Sequence, residues 1–67
     1  MTLTQLHYMI TIAETKSMNR AADRLYISQP SLTSAMQELE KELGITLFHR
    51  SGRGVTLTSD GAEFLLY

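Results

Sequence analysis

Cysteine is absent from the 67 residues, which excludes disulfide staples, cysteine-based zinc sites and thiol catalysis. Long apolar runs are missing too. The longest, Phe64-Leu65-Leu66-Tyr67, is far short of the roughly 20 residues a helix needs to span a bilayer. No positively charged lead precedes an apolar stretch near Met1, so neither a secretory signal nor a membrane partner is expected. Size limits the core as well, because a chain this short buries only about 60% of the surface its unfolded form exposes. With 43% apolar and 19% charged residues, one proline and no low-complexity segment, the composition predicts a single soluble globular domain rather than a disordered tail.

Positive charge is also scarce, and the formal net charge is −1. For a nucleic-acid binder the sum matters less than the placement. Glu38, Glu40 and Glu42 crowd together, whereas Arg50 and Arg53 sit in a glycine-bearing loop. The thirteen residues from Leu25 to Gln37 carry no formal charge. A neutral polar stretch beside a basic loop can read bases while the acids stay at a distance.

Apolar periodicity divides the chain. Leu3, Leu6, Ile10 and Ala13, with Met9 alongside, outline one face of a first helix, which Thr2 or Thr4 can cap. Ser17 caps a short second helix with Met18, Ala21, Ala22 and Leu25 inward. Ser28 caps a third, and Pro30 falls in its first turn, where a missing N–H costs nothing. Its apolar stripe is Leu32, Met36, Leu39 and Leu43, and Gly44 ends it in a left-handed conformation. The period then changes. Residues 45–50 and 55–58 are expected to be strands joined by the turn Ser51-Gly52-Arg53-Gly54. Thr58 caps a fourth helix, and Asp60 suits the dipole of its first turn. Ala62, Leu65 and Leu66 are expected to cover the core, with Phe64 and Tyr67 off that face. Four apolar residues at the chain end suggest a fragment cut inside a helix.

This order, helix, helix, short turn, helix, two-stranded ribbon, helix, predicts a mainly α winged helix-turn-helix. Opposite the apolar stripe of helix three, Pro30, Thr33, Ser34, Gln37 and Lys41 form a polar face. Small hydroxyls and amides let a helix enter the major groove, where Gln bonds adenine and Thr or Ser bonds bases or phosphates. Backbone N–H groups from Gln29 to Ser31 can hold a phosphate. On the ribbon, Arg50 and Arg53 can reach phosphates or an AT-rich minor groove. Arg20 and Arg24 either clamp the DNA backbone or pair with Asp23 or the acids of helix three.

Enzyme chemistry finds no support. His7 and His49 have no metal-ligand spacing, and Glu38, Glu40 and Glu42 point in different directions as a solvated acidic face. The glycine turn lacks the lysine and following hydroxyl of a phosphate-binding loop. No catalytic residue, metal or cofactor is expected in this chain.

The run Ala21-Ala22-Asp23-Arg24-Leu25-Tyr26-Ile27-Ser28-Gln29-Pro30-Ser31-Leu32-Thr33 resembles the signature of LysR-type transcriptional regulators. Leu39-Glu40, Leu43-Gly44, Leu47-Phe48-x-Arg50 and Leu57-Thr58-x-x-Gly61 follow at that family's spacings. Met9 and Met18 stand where the family usually has phenylalanine, and Thr33 where serine is more usual. The resemblance implies a winged helix-turn-helix DNA-binding domain over residues 1–58 and the start of a linker and dimerisation helix over 59–67. It implies a recognition helix at about 29–43 and a wing at about 46–58. The implied DNA contacts are Gln29, Pro30, Ser31, Thr33, Ser34 and Gln37, with Arg50 and Arg53 on the wing. It further implies a cytoplasmic bacterial regulator, homo-oligomeric through the linker helix, on an AT-rich inverted repeat of double-stranded DNA. A small-molecule inducer would bind a C-terminal domain that these residues do not include. From the residues alone, a winged-helix protein-interaction module stays open beside DNA binding.

Overall fold

The computed structural model describes residues 1–52 and 54–66. Helix α1 spans Leu3–Thr15. Thr2 caps it by accepting from the Gln5 N–H while the Gln5 side chain accepts from the Thr2 N–H, a reciprocal capping box. Lys16 ends α1 with φ 57°. Ser17 then caps α2, Met18–Leu25, and Tyr26 ends it with φ 58°. Helix α3 runs Gln29–Leu43 between the Ser28 cap and Gly44, whose φ of 72° is the left-handed stop expected of glycine. Strands β1, Phe48–Ser51, and β2, Gly54–Leu57, pair antiparallel with Phe48 opposite Leu57 and Arg50 opposite Val55. Thr58 caps α4, Ser59–Leu65.

The helices α1, α2 and α3 pack on one another, and β2 lies against α1 and α4. Met9, Ile12, Leu32, Met36, Leu39 and Leu47 are the largest fully buried side chains, joined by Met18, Ala21, Ala22 and Val55. Burying a side chain of this size is worth about 1.5–3 kcal/mol. The stripes expected on α2 and α3 are therefore the core stripes, with Leu25 and Leu43 half-buried at their ends.

Three expectations change. On α1 the buried face is Met9 and Ile12 with half-buried Tyr8, whereas Leu3 and Ile10 are exposed. Apolar residues occur on two sides of this helix, so periodicity alone misplaced its face. Buried Thr11 blurs the pattern further, since its hydroxyl is satisfied by donating to the His7 carbonyl. On α4, Phe64 and Leu65 pack on the core, while Ala62 and Leu66 are exposed and Tyr67 lies outside the described residues. Gly61 sets this face. A β-carbon there would collide with the Leu47 carbonyl, so the helix presses in at Gly61, and positions three and four later follow it inward.

The third change concerns the first strand, which begins at Phe48 rather than residue 45. The Leu47 N–H donates to Glu40 Oε2 at 2.7 Å, and the Leu47 carbonyl accepts from the Thr58 N–H. Glu40 is thus no member of a solvated acidic face. Its partly buried carboxylate ties the loop before the wing to α3.

Candidate nucleic-acid interface

Helix α3 is held on one side and free on the other. Leu32, Met36 and Leu39 lock it to the core, which fixes its rotation and leaves Gln29, Pro30, Ser31, Ser34, Gln37 and Lys41 exposed and Thr33 half-buried. The six α3 residues implied as DNA contacts therefore stand together over about its first two and a half turns and carry no charge. At the helix start, Ser28 Oγ accepts from the Ser31 N–H at 3.2 Å and lies 2.8 Å from Ser31 Oγ. The polar cap is thus hydrogen-bonded within the protein itself.

The ribbon places Arg50 beside this face. Alternation along β1 puts Arg50 on the same side as Phe48, opposite Val55 and Leu57, toward the helices. Its guanidinium, at the far end of that side, extends over α3 and Nη2 donates to Thr33 Oγ1 at 3.3 Å. His49 and Thr56 face the other way. Arg53 lies outside the described residues.

What holds the ribbon there is the turn between α1 and α2. The Val55 N–H donates to the Lys16 carbonyl at 3.0 Å. Gly54 has φ 134°, and a β-carbon on it would lie 2.5 Å from that same oxygen. Glycine is needed at this position both for the backbone angle and for the close approach.

Between the α2 start, the α3 start and the wing lies an open groove of about 590 Å³. Lys16, Ser17, Asn19 and Arg20 line one wall, and Gln29 and Arg50 the other. Met18, Asn19 and Arg20, the first residues of α2, line the same space, and a helix N-terminus favours an anion. None of the described lining residues is acidic. Three cations thus surround a groove that runs alongside a neutral, protruding helix face, an arrangement suited to a phosphate backbone flanking a read base sequence.

Sequence reasoning missed Lys16 and Asn19 as members of this groove. Their signal was only their place on either side of the Ser17 cap, and nothing local indicated that the wing would close over them. Arg20 and Arg24 separate in role. Arg20 lines the groove, whereas Arg24 Nη1 lies 3.6 Å from Glu14 Oε1 of α1 rather than pairing with Asp23 or α3. Both partners of that pair are mostly exposed, so it contributes little stability. Among the described residues, no group of three His, Cys, Asp or Glu can hold a metal, and no helix is long and apolar enough to cross a membrane.

Residues 3–62 match the family described as bacterial regulatory helix-turn-helix proteins, lysR family. The chain is 51% identical over 61 residues to the HTH-type transcriptional regulator ClcR of Pseudomonas putida, covering 91% of this chain and 21% of that protein. It is 48% identical over 60 residues to the uncharacterized HTH-type regulator YcgK of Bacillus subtilis, covering 90% of this chain and 18% of that protein. The chain thus spans about a fifth of the length of these curated relatives. Among solved structures, it superposes on the CbnR DNA-binding domain in a DNA complex with TM-score 0.94 and 48% identity, covering 98% of this chain and 76% of that one. The BenM DNA-binding domain on catB site 1 DNA gives TM-score 0.93 and 43% identity, covering 100% and 72%.

Proposed function

The chain belongs to the lysR family of bacterial regulatory helix-turn-helix proteins, and from this premise we propose that it binds double-stranded DNA sequence-specifically as the reading domain of a larger regulator. Its relatives are transcriptional regulators and not enzymes. Helix α3, over about 29–43, occupies the major groove, which is wide enough to admit a helix. Gln37, Ser34 and Thr33 face base edges, and Gln29, Pro30 and Ser31 approach the bases and backbone at the helix start. The wing, over about 46–58, lies on the flank, where Arg50 and Arg53 meet phosphates or the minor groove.

The observation that carries this reading is the groove between α2, α3 and the wing, where Lys16, Arg20 and Arg50 converge beside the uncharged face of α3. A sugar-phosphate strand seated there directs the next major groove onto Thr33, Ser34 and Gln37. The solved CbnR and BenM DNA-binding domains are DNA complexes, which supports the same use of the fold here. In the whole protein, residues 1–58 form the DNA-binding unit, and 59–67 begin a linker helix that joins copies into a homo-oligomer on an AT-rich inverted repeat. A small-molecule inducer binds a further domain, and the regulator works in the bacterial cytoplasm.

A mobility-shift titration of the chain against random and AT-rich palindromic duplexes tests the reading. Tighter binding to a subset of the palindromes supports it. Failure to shift any duplex at low salt favours the protein-interaction alternative that a winged helix also permits.

A further inference from the structure

Arg24 and Arg50 are held in different ways. Arg24 pairs with the Glu14 carboxylate, which offsets its charge. Among the described residues no carboxylate pairs with Arg50, and its Nη2 donates to the Thr33 hydroxyl at 3.3 Å. A neutral acceptor orients the guanidinium and leaves its positive charge intact. It also spares the geometry by which arginine binds anions. Of the two Nη2 hydrogens, one belongs to the side-on fork with Nε–H and the other to the end-on fork with Nη1–H. Whichever of them Thr33 takes, one complete fork remains for a bidentate contact. The backbone of Arg50 is fixed as well, because it stands opposite Val55, whose N–H donates to the Lys16 carbonyl at 3.0 Å. Thr33 is suited to its part. Thr11 and Thr15 turn their hydroxyls back along α1 and donate to the carbonyls of His7 and Thr11, whereas no such intrahelical bond involves Thr33 among the described residues. Thr33 is half-buried where Ser34 and Gln37 are exposed, and it does not line the groove that Arg50 lines.

We propose that Thr33 is a positioning residue for DNA affinity: its hydroxyl holds the Arg50 guanidinium at the groove wall, with one fork set for the oxygens of a phosphate. A long side chain that rotates freely is in its binding geometry only part of the time, and the apparent affinity falls by that fraction. The bond to Thr33 raises the fraction before DNA arrives. The proton and second lone pair of Thr33 stay available, so the bond itself selects no base. Thr33 therefore adds affinity on every DNA sequence, and it does so through Arg50. The inference rests on the reading that the groove between α2, α3 and the wing seats a phosphate backbone.

Two measurements test this on the native chain, Thr33→Val, Thr33→Ser, Arg50→Met and the Thr33→Val/Arg50→Met double variant. The first is 15N relaxation of the Arg50 Nε–H in the DNA-free chain, for the variants that keep Arg50. The second is affinity over a salt series, for a duplex selected by the chain from a random library and for an unselected duplex. Thr33→Val is expected to lower the Arg50 order parameter and to weaken both duplexes roughly threefold at an unchanged salt slope. Thr33→Ser, which keeps the hydroxyl, stays near native in both respects. Arg50→Met reduces the log–log salt slope by about one unit, and adding Thr33→Val to it costs nothing further. Weakening by Thr33→Val that persists in the Arg50→Met background, or that falls on the selected duplex alone, overturns the proposal and makes Thr33 a direct DNA contact. An Arg50 as ordered, or an affinity as high, in Thr33→Val as in the native chain overturns it too. In each of these cases the phosphate reading of Arg50 stands. If Arg50→Met leaves affinity and salt slope unchanged on both duplexes, that reading fails and the inference falls with it.

Discussion

Replacing Gly54 by alanine strikes the joint that holds the wing beside α3. At φ 134° an L-residue sits in strained backbone, which costs about 1–3 kcal/mol. The new β-carbon would also lie 2.5 Å from the Lys16 carbonyl oxygen, and that oxygen has little room to yield. Lys16 is itself fixed at φ 57° with its N–H donating to the Ile12 carbonyl at 2.8 Å. Separation therefore sacrifices the Val55–Lys16 hydrogen bond, worth about 0.5–1.5 kcal/mol. Together the loss is roughly 2–4 kcal/mol, against a total stability of about 3–10 kcal/mol for a domain of this length. Urea unfolding of Gly54→Ala should show a clearly lowered midpoint at an unchanged slope. If the wing swings away instead, the midpoint moves less and DNA affinity falls. Gly52→Ala is the control: a β-carbon there meets nothing within 4 Å, so its stability should stay within about 0.5 kcal/mol of native. A Gly54→Ala chain matching Gly52→Ala in both stability and DNA affinity would refute the argument.

Other parts of the interface and its support make separate predictions. Gln37→Ala should cost roughly 1–3 kcal/mol of discrimination at one base position, checked with duplexes varied one position at a time; uniform weakening would assign Gln37 to the backbone. Arg20→Ala should reduce the log–log salt slope of DNA binding by about one unit, while Arg24→Ala, engaged with Glu14 instead, should leave that slope nearly unchanged. Glu40→Ala leaves the Leu47 N–H without its side-chain acceptor and should lower unfolding free energy by about 1–3 kcal/mol, with Glu38→Ala as a near-neutral comparison.

Local chemistry made most of the fold legible. The caps Ser17, Ser28 and Thr58 and the stop at Gly44 are statements about single residues, and they lie where they were expected. The stripes of α2 and α3 were readable because each is apolar on one side only. Helix α1 was not, because Leu3 and Ile10 are as apolar as Met9 and Ile12, and only contact with α2 and α3 decides which pair is buried. The face of α4 depended on Gly61 meeting the Leu47 carbonyl, a long-range contact that no helical period encodes. The candidate site divides in the same way. Its α3 residues could be read along one helix, whereas the groove of Lys16, Arg20, Gln29 and Arg50 gathers three distant segments. The Arg50–Thr33 bond spans seventeen positions and follows from where the wing is anchored.

The central claim, that α3 reads the major groove while the wing holds the flank, is tested most directly by methylation interference on a selected duplex. Guanine N7 methylation blocks the major-groove edge, and adenine N3 methylation blocks the minor-groove edge. The account predicts a cluster of inhibitory N7 methylations at the segment facing Thr33, Ser34 and Gln37, with adenine N3 interference confined to its flank. Tight binding that tolerates N7 methylation at every guanine of a guanine-containing site, yet is lost on adenine N3 methylation in its centre, would contradict it.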